Sequence, residues 1–271
     1  MDGNVALVTG STDGLGREVA RQLGALGWTV LVHGRNAERG AAAVREIRSA
    51  GGEAEFFRAD FASLAEVEAL AQTLLARLPR LDLLINNAGI WSDGSDARRE
   101  SADGHELVFA VNYLAGFVLT HRVLPLLEQS APARIVNVSS LAQQPIDCDD
   151  PMLTTGFSAG RAYAQSKLAQ VMHIIDLAEA LDAGSVTANA LHPATLMNTT
   201  MVERAGAAAR STVAEGAAAV MHLAVAPELA GRTGLFFNGR REARAHAQAY
   251  DTDARARLRA LSAQLTGITD R

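Results

Sequence analysis

Tyr163 and Lys167 stand four residues apart in Tyr163-Ala164-Gln165-Ser166-Lys167, and Tyr163 is one of only three tyrosines in the chain. On a helix a four-residue step places both side chains on one face. An ammonium beside a phenol favours the phenolate and lowers its pKa. That matters because a phenol titrating near ~10 is a poor acid–base catalyst at neutral pH. The chemistry on offer is proton transfer to or from a substrate oxygen. The same spacing arises by chance on many helices, so the rest of the chain must supply the other half of a reaction.

Strand-length apolar runs alternate with helix-patterned stretches along the sequence. Strands are expected over 5–9, 29–33, 54–59, 81–86, 134–139, 185–191 and 233–237. Helices are expected over 14–27, 37–50, 63–78, 104–127, 159–181, 212–225 and 250–265. Repeated β-then-α units predict an α/β fold: a doubly wound parallel sheet of about seven strands with helices on both faces. At 271 residues, without a linker-like segment or a compositional break, the chain reads as a single domain over 1–271. In such sheets ligands bind beyond the carboxyl ends of the strands.

Bulk properties exclude several classes. The chain is 48% hydrophobic and 20% charged, which suits a folded protein with a sizeable core. Its net charge is −5 with both signs interspersed, which argues against a nucleic-acid surface. The single cysteine, Cys148, precludes an intrachain disulfide, fits a reducing compartment and leaves no metal-binding Cys/His cluster. Cys148 lies in Asp147-Cys148-Asp149-Asp150, where neighbouring carboxylates should raise its pKa. The N-terminal residues Met1-Asp2-Gly3-Asn4 do not form a secretory signal, and the apolar runs read as too short to span a bilayer. A soluble, cytoplasmic protein is expected.

The first strand runs into Thr9-Gly10-Ser11-Thr12-Asp13-Gly14-Leu15-Gly16. Glycines there permit a tight turn and let the backbone approach a pyrophosphate, while the following helix offers free N–H groups. A dinucleotide site is the reading, rather than an unliganded turn. The second strand ends in Val32-His33-Gly34-Arg35-Asn36, with an arginine where an NAD site carries an acid for the ribose hydroxyls. This favours NADP(H) and leaves NAD(H) possible. Asp13 runs against it, since its charge would oppose a phosphate nearby; its alternative role is to cap the helix.

Taken together, these residues resemble the short-chain dehydrogenase/reductase family. The glycine turn has the family's form, and Asp60, followed by Phe61, matches the aspartate that contacts adenine. Asn86-Asn87-Ala88-Gly89 matches a family signature, and Asn112, Ser140, Tyr163 and Lys167 complete a set in the expected order. Arg134–Leu141, Tyr163–Leu168 and His192-Pro193 look most like a retinol-dehydrogenase-like branch, whose members often carry an N-terminal membrane anchor. With no anchor visible, a soluble, bacterial-type relative is expected. The resemblance implies a Rossmann fold with a cofactor contacted by Gly10, Ser11, Thr12, Asp13, Gly14, Leu15, Gly16, Arg35, Asn36, Asp60, Phe61, Asn87, Ala88, Gly89, Tyr163, Lys167, Pro193, Ala194, Thr195 and Thr199. Two departures stand out. Ala194 replaces the family's glycine after Pro193, and Asn198 occupies the usual hydroxyl position, with Thr199 one residue late.

The implied mechanism has Ser140 bonding the substrate oxygen, Tyr163 moving the proton, and Lys167 lowering the tyrosine pKa and holding the nicotinamide ribose. Asn112 would place a water that relays protons from Lys167. Ser139 is the rival to Ser140, and His192 is expected to act through its backbone. Residues 141–158 and 194–210 are the candidate substrate loops, and their methionines, alanines and other apolar residues suggest an apolar carbonyl or alcohol. The expected activity is an NADP(H)-dependent carbonyl reductase or alcohol dehydrogenase. The alternatives are a nucleotide-sensing regulator or an epimerase or dehydratase with a tightly held cofactor. A homodimer or homotetramer is expected from the family. Ala162, Ala169, Met172 and Ile175 fit either a pairing face or a core stripe.

Overall fold

Val5–Val8 (β1) is wholly buried, and so is every residue of Thr29–Gly34 (β2) beside it. Strands covered on both faces have no need of polar alternation. The computed structural model describes residues 3–91 and 97–268, so Met1 and Asp2 of the N-terminal reading lie outside it. The sheet continues through Glu53–Arg58 (β3), Leu83–Asn86 (β4), Ala133–Val138 (β5), Val186–His192 (β6), Phe236–Asn238 (β7) and Arg241–Ala243 (β8). Its order is β3-β2-β1-β4-β5-β6-β7-β8. All neighbours pair in parallel except β7 and β8. The order reverses at β1, between β2 and β4, which opens a crevice above the strand ends.

Helices cover both faces. Gly14–Ala25 (α1), Ala37–Ser49 (α2) and Val213–Val225 (α8) pack on one side with Val8, Val30 and Ile85. On the other side lie Leu64–Arg77 (α3), Ala115–Gln129 (α5), Ala159–Ala180 (α6) and Thr252–Thr266 (α9). Two short helices, Leu107–Phe109 (α4) and Thr200–Arg204 (α7), sit beside the crevice loops.

The expected fold class holds, with an eighth strand added. β8 carries Arg241 and Glu242 on three residues, so no apolar run marks it. Charge on an edge strand also discourages further pairing. The last expected strand is trimmed at its start, because Gly234 adopts φ +75° and the Thr233 hydroxyl accepts the Ala188 N–H (2.9 Å). The expected helix over 104–127 begins late: Gly104 turns at φ +79°, and the Glu106 carboxylate caps Val108 and Phe109. This stretch also corrects the reading of short apolar runs. Leu107–Gln129 is long and apolar enough to cross a membrane by length and composition, with 72% of its apolar window buried inside the fold.

Ala162, Ala169, Met172 and Ile175 are all buried, so the core-stripe reading of α6 holds in this structure. α9 helps to cover that helix. Buried Arg255 pairs with Asp176 (2.8 Å) and Glu179 (2.6 Å) of α6, and Arg259 also reaches Asp176 (2.9 Å). Tyr113 and Ser262 share a buried hydroxyl hydrogen bond (2.7 Å). Asp176→Ala strips both arginines of a common partner and leaves the Arg255 charge undercompensated in the interior. A loss of about 3 kcal/mol is expected, read as a lowered urea midpoint with an unchanged slope.

Candidate active site

The glycine turn is braced from three sides. Gly10 (φ +65°) has no room for a side chain, since a Cβ there would lie 2.8 Å from the Ala88 Cα. The Asn87 amide donates to the carbonyls of Thr9 (2.8 Å) and Gly10 (3.2 Å). The Thr9 hydroxyl, which the sequence reading did not single out, accepts the N–H groups of Asn87 and Ala88 (both 3.0 Å). Ser11 is fully buried: its hydroxyl donates to Val8 O (2.6 Å) and its N–H to His33 O (2.9 Å). Ser11 therefore holds the turn together rather than presenting its side chain to the crevice. The Leu15 side chain likewise faces the core.

His33 accepts the Gly10 N–H at Nδ1 (3.2 Å) and donates from Nε2 to Ala59 O (3.2 Å). Burial drives its pKa down to about 4, so it is a neutral strut at neutral pH. Phe61 stacks on it at 4.3 Å and is buried, which leaves Phe61 no side-chain surface for a ligand.

At the mouth of the crevice, charged residues stand in pairs. Arg35 lies 4.0 Å from Asp60, and Arg39 lies 3.3 Å from Asp13. Asp13 does cap α1, accepting the Gly14 N–H (2.8 Å), and it also accepts the Thr200 hydroxyl (2.9 Å). Asn36 caps α2 through the Arg39 N–H (2.9 Å). Arg39 went unnoticed in the sequence because it sits in the first turn of α2, five residues beyond the strand. The chain's departure at 198–199 has a structural use: Asn198 accepts the Val213 N–H (2.8 Å) at the start of α8, while Thr199 lies beside Gly14. A Cβ on Gly14 would stand 3.3 Å from Thr199 Cγ2. Pro193 is buried, Ala194 half-buried and Thr195 exposed, and the Thr195 hydroxyl meets His192 Nε2 (3.0 Å). These features match a dinucleotide: glycines where a Cβ would obstruct, a capped helix start, and arginines at the end of β2.

Asn112, Ser140, Tyr163 and Lys167 come together at the ends of β4 and β5. Ser139 is excluded from the chemistry, because its hydroxyl is buried and donates to Lys167 O (2.6 Å). Ser140 is the serine whose hydroxyl acts on the Tyr163 phenol. Ser140 lowers the phenol's pKa, but burial outweighs this and the phenol sits above its ordinary value. Lys167 is not a surface residue. It is buried, with Nζ donating to Val138 O (2.9 Å) and Gln170 Oε1 (3.0 Å), 5.5 Å from the Tyr163 ring centroid. Burial lowers its pKa to about 7. The expectation that this ammonium pulls the phenol down is therefore not met in this structure.

Asn112 lies in a π-helical turn, Ala110–Leu114, which explains how a helix can direct it. Wider i→i+5 pairing distorts the ladder and reorients side chains. Asn112 accepts the Ile90 N–H (2.7 Å) and donates to Ile90 O and Ser166 Oγ (both 3.0 Å). The residue clamps the loop after β4, and a Cβ on Gly89 would press within 3.3 Å of its Oδ1.

The loop 141–158 is anchored beside this group. Ile146 exchanges two hydrogen bonds with the Gln248 side chain, and Arg98 donates to Met152 O (2.9 Å). Its three aspartates all have partners: Asp147 with Arg161, Asp149 with Arg257, and Asp150 with Thr154 and Thr155. Leu153, Val108 and Ala162 form a small apolar cluster against Ile90, Phe157 and Tyr163, and the Trp91 ring lies 5.6 Å from the tyrosine. Trp91 was also missed, since nothing in its spacing ties it to Tyr163. The Cys148 thiol is indeed raised, but chiefly by burial; Arg257 opposes the smaller effect of Asp149 and Asp147.

A family model described as short chain dehydrogenase matches residues 4–210. The chain belongs to the short-chain dehydrogenase family. Among relatives of this short-chain dehydrogenase, retinol dehydrogenase 14 of Homo sapiens is 34% identical over 297 residues, covering 99% of this chain and 88% of the relative. Polyprenol dehydrogenase of Mus musculus is 36% identical over 286 residues, covering 98% and 84%. A crystal structure of an actinorhodin polyketide ketoreductase variant with NADPH superposes at a TM-score of 0.70 and 30% identity, covering 88% and 95%. An uncharacterized protein from Mycobacterium paratuberculosis gives a TM-score of 0.78 at 28% identity, covering 97% and 93%. The protein is thus an oxidoreductase with an NAD(P)-binding Rossmann fold.

Proposed function

We propose that this short-chain dehydrogenase interconverts an apolar carbonyl compound and its alcohol using NADP(H). The single observation that carries the reading is buried Lys167 standing 5.5 Å from the Tyr163 ring, with Ser140 acting on the phenol. Bound in the crevice, the dinucleotide supplies or accepts the hydride. Ser140 and Tyr163 then converge on the substrate oxygen, and the tyrosine gives or takes its proton. Lys167 retains one N–H direction beyond the two spent on Val138 and Gln170. That donor suits the nicotinamide ribose. The apolar cluster of Ile90, Val108, Leu153 and Phe157, with Trp91, supports an apolar substrate. So do relatives named for retinol and polyprenol.

The test is oxidation of NADPH against ketones and aldehydes of graded apolarity, with alcohols and NADP run in the reverse direction. Saturable turnover that improves with apolar size supports the proposal. Tight dinucleotide binding with silence in both directions would sink it in favour of a nucleotide-sensing role. The neutral-pH preference for NADP(H) rests on Arg35 and Arg39, each released from its carboxylate by a stronger anion. Arg35→Ala is expected to weaken NADPH binding by roughly 10–100-fold, the value of a charge-assisted hydrogen bond, and to leave NADH binding little changed. Isothermal titration with each cofactor decides this; equal losses for both would remove the assignment.

A further inference from the structure

We propose that Gln170 is a positioning residue for the proton-transfer group, joining Lys167 to the backbone carbonyl of Asn112 through its side-chain amide. This rests on the activity proposed above. Gln170 lies one turn beyond Lys167 on α6 and is 3% exposed. Its Oε1 accepts from Lys167 Nζ (3.0 Å), and its Nε2 donates to Asn112 O (2.8 Å). The backbone is drawn in as well, since Asn137 Nδ2 donates to Gln170 O (3.1 Å). The π-turn is what presents Asn112 O. Ala115 N–H reaches back to Ala110 O, so the ladder is offset where Asn112 lies. One buried amide thus ties the lysine to the same turn whose side chain clamps Ile90.

The choice of an amide has a chemical consequence. A leucine here would leave a buried ammonium and a buried carbonyl each short of a partner, at a cost for each. A glutamate would pair with the ammonium and hold it charged. Glutamine fixes the position of Nζ while leaving its charge free to change with the phenol. The surroundings fit this. The groups facing Nζ are the Val138 carbonyl from β5, Gly89 from the loop after β4, Asn112 from the π-turn, and Gln170 itself. Among the described residues, the titratable group beside these is Tyr163, on the same helix. The other buried titratable group of α6, His173, packs on Phe117 and His121 instead.

The chain makes this measurable. Of its 25 Lys and Arg residues, 24 are arginine, so Lys167 is the single lysine. A protein prepared with 13C-labelled lysine and no lysine in its tag gives one side-chain resonance, whose pH titration reports Nζ directly. The wild type is expected to titrate near the value of about 7 that burial imposes. Gln170→Glu should raise the midpoint by roughly 1–3 pH units, and the pH–rate profile for NADPH-linked turnover should move with it. Gln170→Leu should lower the midpoint and reduce kcat by about tenfold, with a smaller change in the KM for cofactor. An unmoved resonance in Gln170→Glu overturns the positioning role, even where Gln170→Leu is too unstable to study. A resonance that moves while the rate profile stays fixed also overturns it, because the lysine would then be held but not coupled to the chemistry. A resonance that moves in a protein without turnover on any carbonyl or alcohol sinks the proposed activity instead and leaves the hydrogen-bonded bridge standing.

Discussion

Tyr163→Phe should lower turnover by about 10²–10⁴-fold, the range a single positioned acid–base group contributes, while NADPH binding stays close to that of the wild type. The substitution removes one oxygen and keeps the ring. The ring is structural, packing in the cluster with Leu153, Val108 and Ala162 and lying 5.6 Å from Trp91. Retaining it protects the fold and isolates the proton. The lost hydroxyl also frees Ser140, which still accepts the Ala142 N–H (3.0 Å) and so keeps its place. Stopped-flow binding of NADPH and steady-state rates on the same preparation make the comparison. A variant that keeps more than about a tenth of the wild-type kcat would assign the proton to another group.

The sheet, its parallel pairing and its two helical faces were legible because buried strands print as unbroken apolar runs and the glycines punctuate them. β8 and α7 were not, since three edge residues, two of them charged, and a single helical turn carry no period. The proton-transfer group was legible for a different reason. Tyr163 and Lys167 are fixed by one helix, so their spacing in sequence is their spacing in space. Gln170 lies on that helix too, yet its role depends on Asn112, 58 residues earlier, and on a π-turn that no periodicity announces. Arg39 and Trp91 escaped for the same reason: each acquires its partner, Asp13 or Tyr163, only across the fold. The direction of the pKa shifts was the least legible quantity. Sequence proximity predicts an ammonium stabilising a phenolate, but burial dominates both groups and moves them toward their neutral forms.

Gly16→Ala should have the second large effect, a fall in dinucleotide affinity of roughly 10–100-fold, from the ~1–3 kcal/mol that overpacking a tight site costs. The reason lies in contacts rather than dihedrals, since Gly10 and Gly14 have positive φ and Gly16 does not. A Cβ at Gly16 would stand 2.4 Å from Asn87 Nδ2 and 2.5 Å from Gly10 O. One of those atoms is backbone. The other belongs to the amide that ties the turn to the loop after β4 through the Thr9 and Gly10 carbonyls. A single methyl therefore pushes α1 off the turn and breaks the brace between the first and fourth strand ends, where the pyrophosphate is expected. Sheet packing elsewhere is untouched, so the thermal midpoint should fall only modestly while NADPH titration calorimetry shows the loss. Equal affinity in the two proteins would mean that the turn can yield without losing its ligand, and that the close approach of α1 serves folding alone.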